Sequence, residues 1–171
     1  MNVTSVIKSQ FHASLDMLAA AVEACPDDAW DRSEDRNRSW HLVYHTLFYV
    51  HLYLQPTESD FEPWAKHADE YSMMGHEPWP PIDLPEAATL SKSDALAYLS
   101  FCRGQVDART ASVDLDATSG FPWLPMNKLE LQLYSIRHVM QHVGEMYERV
   151  AKTTGADLDW VGMHPGARES T

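Results

Sequence analysis

A chain of 171 residues, 44% of them hydrophobic, can bury one sizeable core and is short for two, so one domain over residues 1–171 is expected. Thirteen Lys and Arg against 25 Asp and Glu leave a net charge of −12, which repels nucleic-acid backbones and anionic membranes, so neither is expected as a partner. Two cysteines, Cys25 and Cys102, have neither zinc-knot nor disulfide-framework spacing, and a reducing cytoplasm is expected. The run Leu18-Ala-Ala-Ala-Val22 before Cys25 is hemmed in by Asp16 and Glu23 and is too short for a secretory core. No stretch approaches the roughly 20 apolar residues of a membrane span, so a soluble protein is expected.

The apolar period is helical throughout, and strand patterning is weak. A first helix is predicted over about Val3 to Ala24, its stripe Phe11, Leu15, Leu18 and Val22 facing inward, with Pro26 and two aspartates ending it. A second runs from about Ser39, read as an N-cap, to Leu54 before Pro56; it is apolar almost all round and should be the most buried. Residues 55 to 89 carry six prolines, which argues against a continuous helix, although a turn near Trp64 to Tyr71 fits. Ser91 and Asp94 read as a capping box opening a third helix to about Val113, with Leu96, Leu99 and Val106 inward. After the turn Gly120-Phe-Pro-Trp-Leu-Pro, a fourth runs from about Lys128 to Lys152, before Gly155. The expectation is an all-α four-helix bundle with a long crossover between its second and third helices.

His138 and His142, in Arg137-His-Val-Met-Gln-His-Val-Gly-Glu, lie four apart on the last helix, so both imidazoles sit on one face about 6 Å apart at Cβ and can reach one metal ion. A third ligand must come from elsewhere, and His45 on the second helix is the best candidate, with His41, one turn earlier, a rival third or a fourth. A buried face bearing three imidazoles needs partners for their polar atoms, and a divalent metal supplies them together. The competing account is histidines hydrogen-bonded in the core or exposed, since nine histidines produce such spacings by chance.

The pattern His138-Val-Met-Gln-His142-Val-Gly144-Glu145 resembles the closing HxxxHxGQ motif of the DinB/YfiT-like superfamily. So do Trp40-His-Leu-Val-Tyr-His45 in the second helix and the tail Asp157-Leu-Asp-Trp160-Val-Gly. The resemblance implies one divalent ion on His45, His138 and His142, with coordination positions left to water or substrate, and members of the group are often homodimers. Zinc or nickel suits imidazole best, with iron or manganese also compatible. The sequence departs from the motif at Glu145, where Gln is common; this residue is either an acid/base or acceptor behind the metal ligands, or a surface carboxylate pairing with Arg149.

Three imidazoles leave a 2+ centre, which can hold a thiol as thiolate or lower the pKa of bound water. Both chemistries are thus open, and for a protein of the DinB/YfiT-like type the resemblance makes the first expectation an enzyme that transfers a low-molecular-weight thiol, such as bacillithiol, mycothiol or glutathione, to a small-molecule electrophile. The alternatives are a hydrolase using metal-bound hydroxide, losing activity near pH 6 as the histidines protonate, and a non-catalytic metal- or small-molecule-binding protein. Tyr49 and Tyr134 share the ligand stripes and could donate to a bound anion; with Glu145 they are the catalytic candidates. Gly144 is read as a site of close helix approach, and Cys102 as an inert core thiol. Trp64, Met73, Met74 and Trp79 are read as an aromatic-rich loop packed on the bundle or as a lid over the metal mouth, with His67, His76 and His164 in loops or tail.

Overall fold

A computed structural model describes residues 2–75, 84–85 and 88–164. Helix α1 spans Val3–Ala24 and a one-turn α2 Asp27–Trp30, followed by α3 at Ser39–Tyr53, α4 at Lys92–Thr110 and α5 at Lys128–Thr154. No strand occurs among the described residues, and the protein is all-α as expected. Helices α1 and α3 each pack against both α4 and α5, so the four long helices form a bundle with α1 diagonal to α3.

Each long helix follows from its own residues. On α1 the four stripe residues Phe11, Leu15, Leu18 and Val22 are fully buried, each contributing about 1.5–3 kcal/mol of transfer free energy. Asn2 caps it, its Oδ1 accepting from the Ser5 backbone. On α3 every residue except His45, Phe48 and Tyr49 is buried, which makes it the central element. Ser91 caps α4 and Asn127 caps α5, while Gly155 ends α5 in the left-handed conformation at φ 73°.

Three terminal assignments differ from expectation, the simplest being α4, which closes at Thr110 rather than near Val113. Pro26 and the aspartates end α1 but also start α2: Pro26 fixes the entry φ, and Asp27 and Asp28 sit favourably in its first turn. That turn buries Trp30, whose Nε1–H donates to the Leu90 carbonyl at 2.7 Å. Ser39 is not the N-cap of α3, which is Arg38; the Ser39 hydroxyl instead donates to the Ala29 carbonyl at 2.8 Å, tying α3 to α2.

Within the connection from α3 to α4 the described residues form two 3-10 turns, Glu58–Asp60 and Asp69–Tyr71, the second near the turn expected before Tyr71. Trp64 stacks on Tyr98 with centroids 4.5 Å apart, Tyr44 and His67 share a hydrogen bond of 2.6 Å, and Asn37 bonds both backbone groups of Gly75. The strap formed by residues 71–75 is thereby held against the bundle. His76 and Trp79 lie outside the described residues.

Gly144 faces open space: a Cβ there would meet nothing within 4 Å, so it mediates no close helix approach. Gly120 is the opposite case. Its φ of 81° and a Cβ position 2.0 Å from the Pro56 carbonyl oxygen leave no room for a side chain. Gly144→Ala is therefore expected to stabilise by about 0.5–1 kcal/mol, and Gly120→Ala to destabilise by about 2 kcal/mol or more. Urea denaturation of the two variants tests this, and a destabilised Gly144→Ala would return that residue to a packing role.

Candidate metal centre

Helix α3 presents His45 and helix α5 presents His138 and His142, and the three ring nitrogens gather at one point. Nε2 of His138 lies 3.2 Å from Nε2 of His45 and 3.0 Å from Nε2 of His142, and the three ligand atoms all fall within 4.8 Å of one another. Metal–nitrogen bonds of about 2.0–2.1 Å place neighbouring ligand nitrogens about 3.0–3.4 Å apart, from octahedral to tetrahedral arrangement.

The protonation pattern gives an independent test of fit. His45 Nδ1 lies 2.7 Å from the Ser72 carbonyl oxygen, which can only accept, so Nδ1 carries the proton and Nε2 offers a bare lone pair to the cluster. If His138 Nε2 carries its proton, that N–H can point well at only one of its two close neighbours; if it is bare, it faces the bare Nε2 of His45 at 3.2 Å, so one short contact is left unsupported either way. A divalent cation satisfies all three together, so the group can hold a metal ion.

Burial keeps His45 and His138 in the neutral form that a metal needs. Desolvation pushes the pKa of His45 down to about 3, opposed by its bond to Ser72 and reinforced by His138 and His142. Desolvation, with His142 alongside, takes His138 to about 4. A loss of neutral imidazole near pH 6, as an unperturbed histidine would show, is therefore not what these two residues do.

His41 is not part of the group. One turn earlier on α3, it is 2% exposed against Trp40, its Nε2 has no hydrogen-bond partner, and burial lowers its pKa against hydrogen bonds with the Met73 and Tyr71 backbone.

Glu145 stands behind the cluster. Its Oε1 is 3.4 Å from His142 Nδ1, close but too poorly aligned for a hydrogen bond, and His142 is the main influence holding its carboxyl below the usual range. Arg149 turns elsewhere, donating to the Asn37 carbonyl at 2.8 Å and to Ser39 Oγ at 3.2 Å, with Asp35 at 3.5 Å, so the expected Glu145–Arg149 surface pair does not form.

The cluster forms one end of a pocket of about 470 Å³, walled by Tyr49, Tyr53, Met73, Met74, Trp123 and Tyr134. Tyr49 packs on His45 with ring centroids 4.7 Å apart and reaches the Met73 sulfur at 3.7 Å. Tyr134 lies on the pocket wall against Tyr53, 5.9 Å between centroids. Tyr49 thus packs on the histidines and Tyr134 shares their pocket, whereas Glu145 acts from outside it. Trp123, half-exposed beside the mouth, was visible in the sequence only as an aromatic between two prolines. The Ser72 carbonyl that orients His45 belongs to the backbone and has no side-chain signature. Cys102 is fully buried and burial raises its pKa, in keeping with an inert thiol.

The family model described as the DinB superfamily matches residues 10–146, a span that contains all three histidines and Glu145. The chain belongs to the DinB superfamily. No curated protein and no solved structure matches it. In this DinB-superfamily chain the described part of the α3–α4 connection supplies the third side of the site: Ser72 orients a ligand, and Met73 and Met74 wall the pocket. The tail around Asp157–Gly162 lies beyond the matched span and folds back, with the Asp159 carbonyl accepting from Tyr147 and that of Gly162 from Gln10. None of the described helices is long and apolar enough to cross a membrane.

Proposed function

We propose that this protein is a metal-dependent transferase that activates a low-molecular-weight thiol at His45, His138 and His142 and delivers it to an apolar electrophile. One observation carries the reading: the three Nε2 atoms converge at the end of a pocket whose walls are thioether and aromatic and, among the described residues, include no carboxylate. A divalent ion, zinc or nickel best matching the imidazoles, supplies when bound a positive centre that favours thiolate over thiol.

The remaining work falls to the chain. His45 is fixed in its tautomer by Ser72, and Glu145 lies 3.4 Å from His142 Nδ1, where a small rotation of its carboxylate would bring it into line to accept that N–H. Tyr49 and Tyr134 share the histidines' pocket with hydroxyls able to donate to a developing anion, and Leu52, Met73 and Trp123 offer the electrophile an apolar bed. In the transfer the thiol proton passes to solvent, sulfur bonds the electrophilic carbon, and the leaving group departs with the bonding electron pair. The protein is taken to act on small molecules as a homodimer.

Metal-loaded protein assayed with bacillithiol, mycothiol and glutathione against a set of alkyl and aryl halide electrophiles tests the proposal. Thiol-dependent turnover supports it; its absence with every pair defeats it. Turnover without thiol would instead identify a hydrolase, a reading less favoured because no carboxylate among the described pocket residues is positioned to take a proton from water. Stoichiometric metal with no turnover would identify a binding protein.

Glu145 supplies a finer test. Glu145→Ala is expected to weaken metal binding by about 10–100-fold, whereas Glu145→Gln, which keeps an acceptor for His142, should cost less than about tenfold. Competition with a chromophoric chelator measures both, and an unchanged affinity in Glu145→Ala would reduce this residue to a surface carboxylate.

A further inference from the structure

A second cavity, sharing no lining residue with the histidine pocket, lies where the C-terminal ends of α3 and α4 meet the start of α5. Its volume is about 340 Å³, within the range of about 300–1,000 Å³ typical of small-molecule sites. The walls include Leu54, Pro56, Val113 and Ala117, and two cationic side chains, Lys128 and Arg109, face a single carboxylate, Asp114. That balance runs against a chain whose net charge is −12.

Lys128 is unusual for a lysine. It is only 6% exposed, its ammonium donates to the Gln55 carbonyl at 2.8 Å and sits 5.3 Å from the Phe121 ring centroid, and it makes no ion pair among the described residues. The carboxylate that acts on it at longer range, Asp60, is occupied by the Thr57 capping box. A buried ammonium with one oxygen partner leaves donors unused. Burial lowers its pKa, a cost that an anion beside it would offset.

Gln132, one turn further along α5 and 2% exposed, lines the same cavity, and its Oε1 has no hydrogen-bond partner. Arg109 on α4 makes no ion pair among the described residues, its Nε reaching only Gln105 at 3.4 Å. The backbone N–H groups at the start of α5 are already taken: Lys128 donates to Ala117, Leu129 to Leu115 and Glu130 to the Asn127 side chain. Unsatisfied capacity therefore resides in side chains aimed at the cavity, two cationic donors and one amide acceptor.

We propose that this cavity is a second ligand site, separate from the metal centre, for a small organic carboxylate. Its anionic end meets Lys128 and Arg109, its apolar body rests on Leu54, Pro56 and Val113, and a hydroxyl or amine on it donates to Gln132. The class is that of hydroxy- or amino-substituted monocarboxylates small enough for the cavity.

Protein-observed NMR with benzoate, 4-hydroxybenzoate, phenylacetate and 4-hydroxyphenylacetate tests it, with 4-hydroxybenzamide as the neutral control. The expected result is saturable shifts at Lys128, Gln132 and Thr110 with at least one hydroxylated acid, weakened at least about tenfold in the amide. Lys128→Met should weaken binding by a similar factor. Should Lys128→Met fail to fold, Arg109→Gln, at an exposed position, is expected to weaken it by about threefold or more. Metal content should stay unchanged in a folded variant. No saturable shift at these residues with any of the four acids, equal binding of the amide, or shifts centred on Trp123 and His138 would each overturn the proposal.

Discussion

Replacing His138 with alanine is expected to lower bound metal from about one ion per chain to below about a tenth, with thiol-dependent turnover falling at least about 100-fold. The reason lies in its position. His138 Nε2 is the nitrogen within 3.2 Å of both other ligands, so its loss leaves His45 and His142 on separate helices with no central partner. The same substitution should remove metal-dependent thermal stabilisation. A ligand at about 1,000 times its Kd stabilises the folded state by about 4 kcal/mol, or about 8–16 °C in Tm for a chain of this size. Elemental analysis of protein prepared without a polyhistidine tag, and thermal scans with and without zinc, read both effects. His41→Gln is the matched control, because His41 is buried one turn away yet lies outside the group. If His138→Ala kept its metal, or if His41→Gln lost it, the ligand assignment would be wrong.

The second large effect is on pH. In the metal-free fold, His45 is neutral down to about pH 3 and His138 down to about pH 4, against an ordinary value of 6.5. Both folded-state values are depressed, so the unfolded chain binds more protons between those values and 6.5. The stability contribution is thus complete above pH 6.5, declines as pH falls below it, and is gone once pH has passed about 4 for His138 and about 3 for His45. It amounts to a few kcal/mol for each imidazole, on the order of 1.4 kcal/mol per pKa unit. His51, also held down to about 4 by burial, adds in the same direction. Urea midpoints of the metal-free protein should fall steadily from pH 6.5 to 4, with a shallower slope in His45→Gln.

Metal binding has a different window, because it competes with protons on the folded protein. Protonation of His45 and His138 should therefore not weaken zinc binding between pH 7 and about 5. Binding at pH 6.5 should release almost no protons from His45 and His138, where two ordinary imidazoles would release about one between them. Calorimetric titration in buffers of different ionisation enthalpy counts those protons, and release of more than about one proton per ion at pH 6.5 would contradict the buried, neutral state of the two rings.

The legible parts of the fold were those with a periodic signature. The stripe from Phe11 to Val22 and the stop at Pro26 place α1 at its observed ends, and α5 starts at Lys128 as read and stops before Gly155, two residues longer than its pattern suggested. α2 could not be read, since one turn has no period, and Pro26 with two aspartates ends one helix as readily as it starts another. Gly144 looked like a contact because glycine in a helix usually needs a reason, but that position opens to space. At the site, the spacing of His138 and His142 determined their common face, while His41 and His45, also four apart, could not be separated by spacing, and only the resemblance favoured His45. Burial against Trp40 and the strap separates them, and burial also sets the pKa values that the sequence could not show. The cavity at Lys128 was illegible for a further reason: a lysine at a helix start reads as solvent-facing.

Three consecutive residues of the strap perform two tasks. Ser72 fixes one ligand through its carbonyl oxygen, and the next two side chains, Met73 and Met74, line the pocket. Under the proposed function, selectivity for the electrophile and the geometry of the centre are consequently not independent variables in divergence of this protein. Exchanging Met73 or Met74 for another side chain can remould the pocket while the backbone keeps its grip on His45. An insertion or deletion between residues 71 and 75 would change both together, so diversification here is expected to proceed by substitution within a strap of constant length.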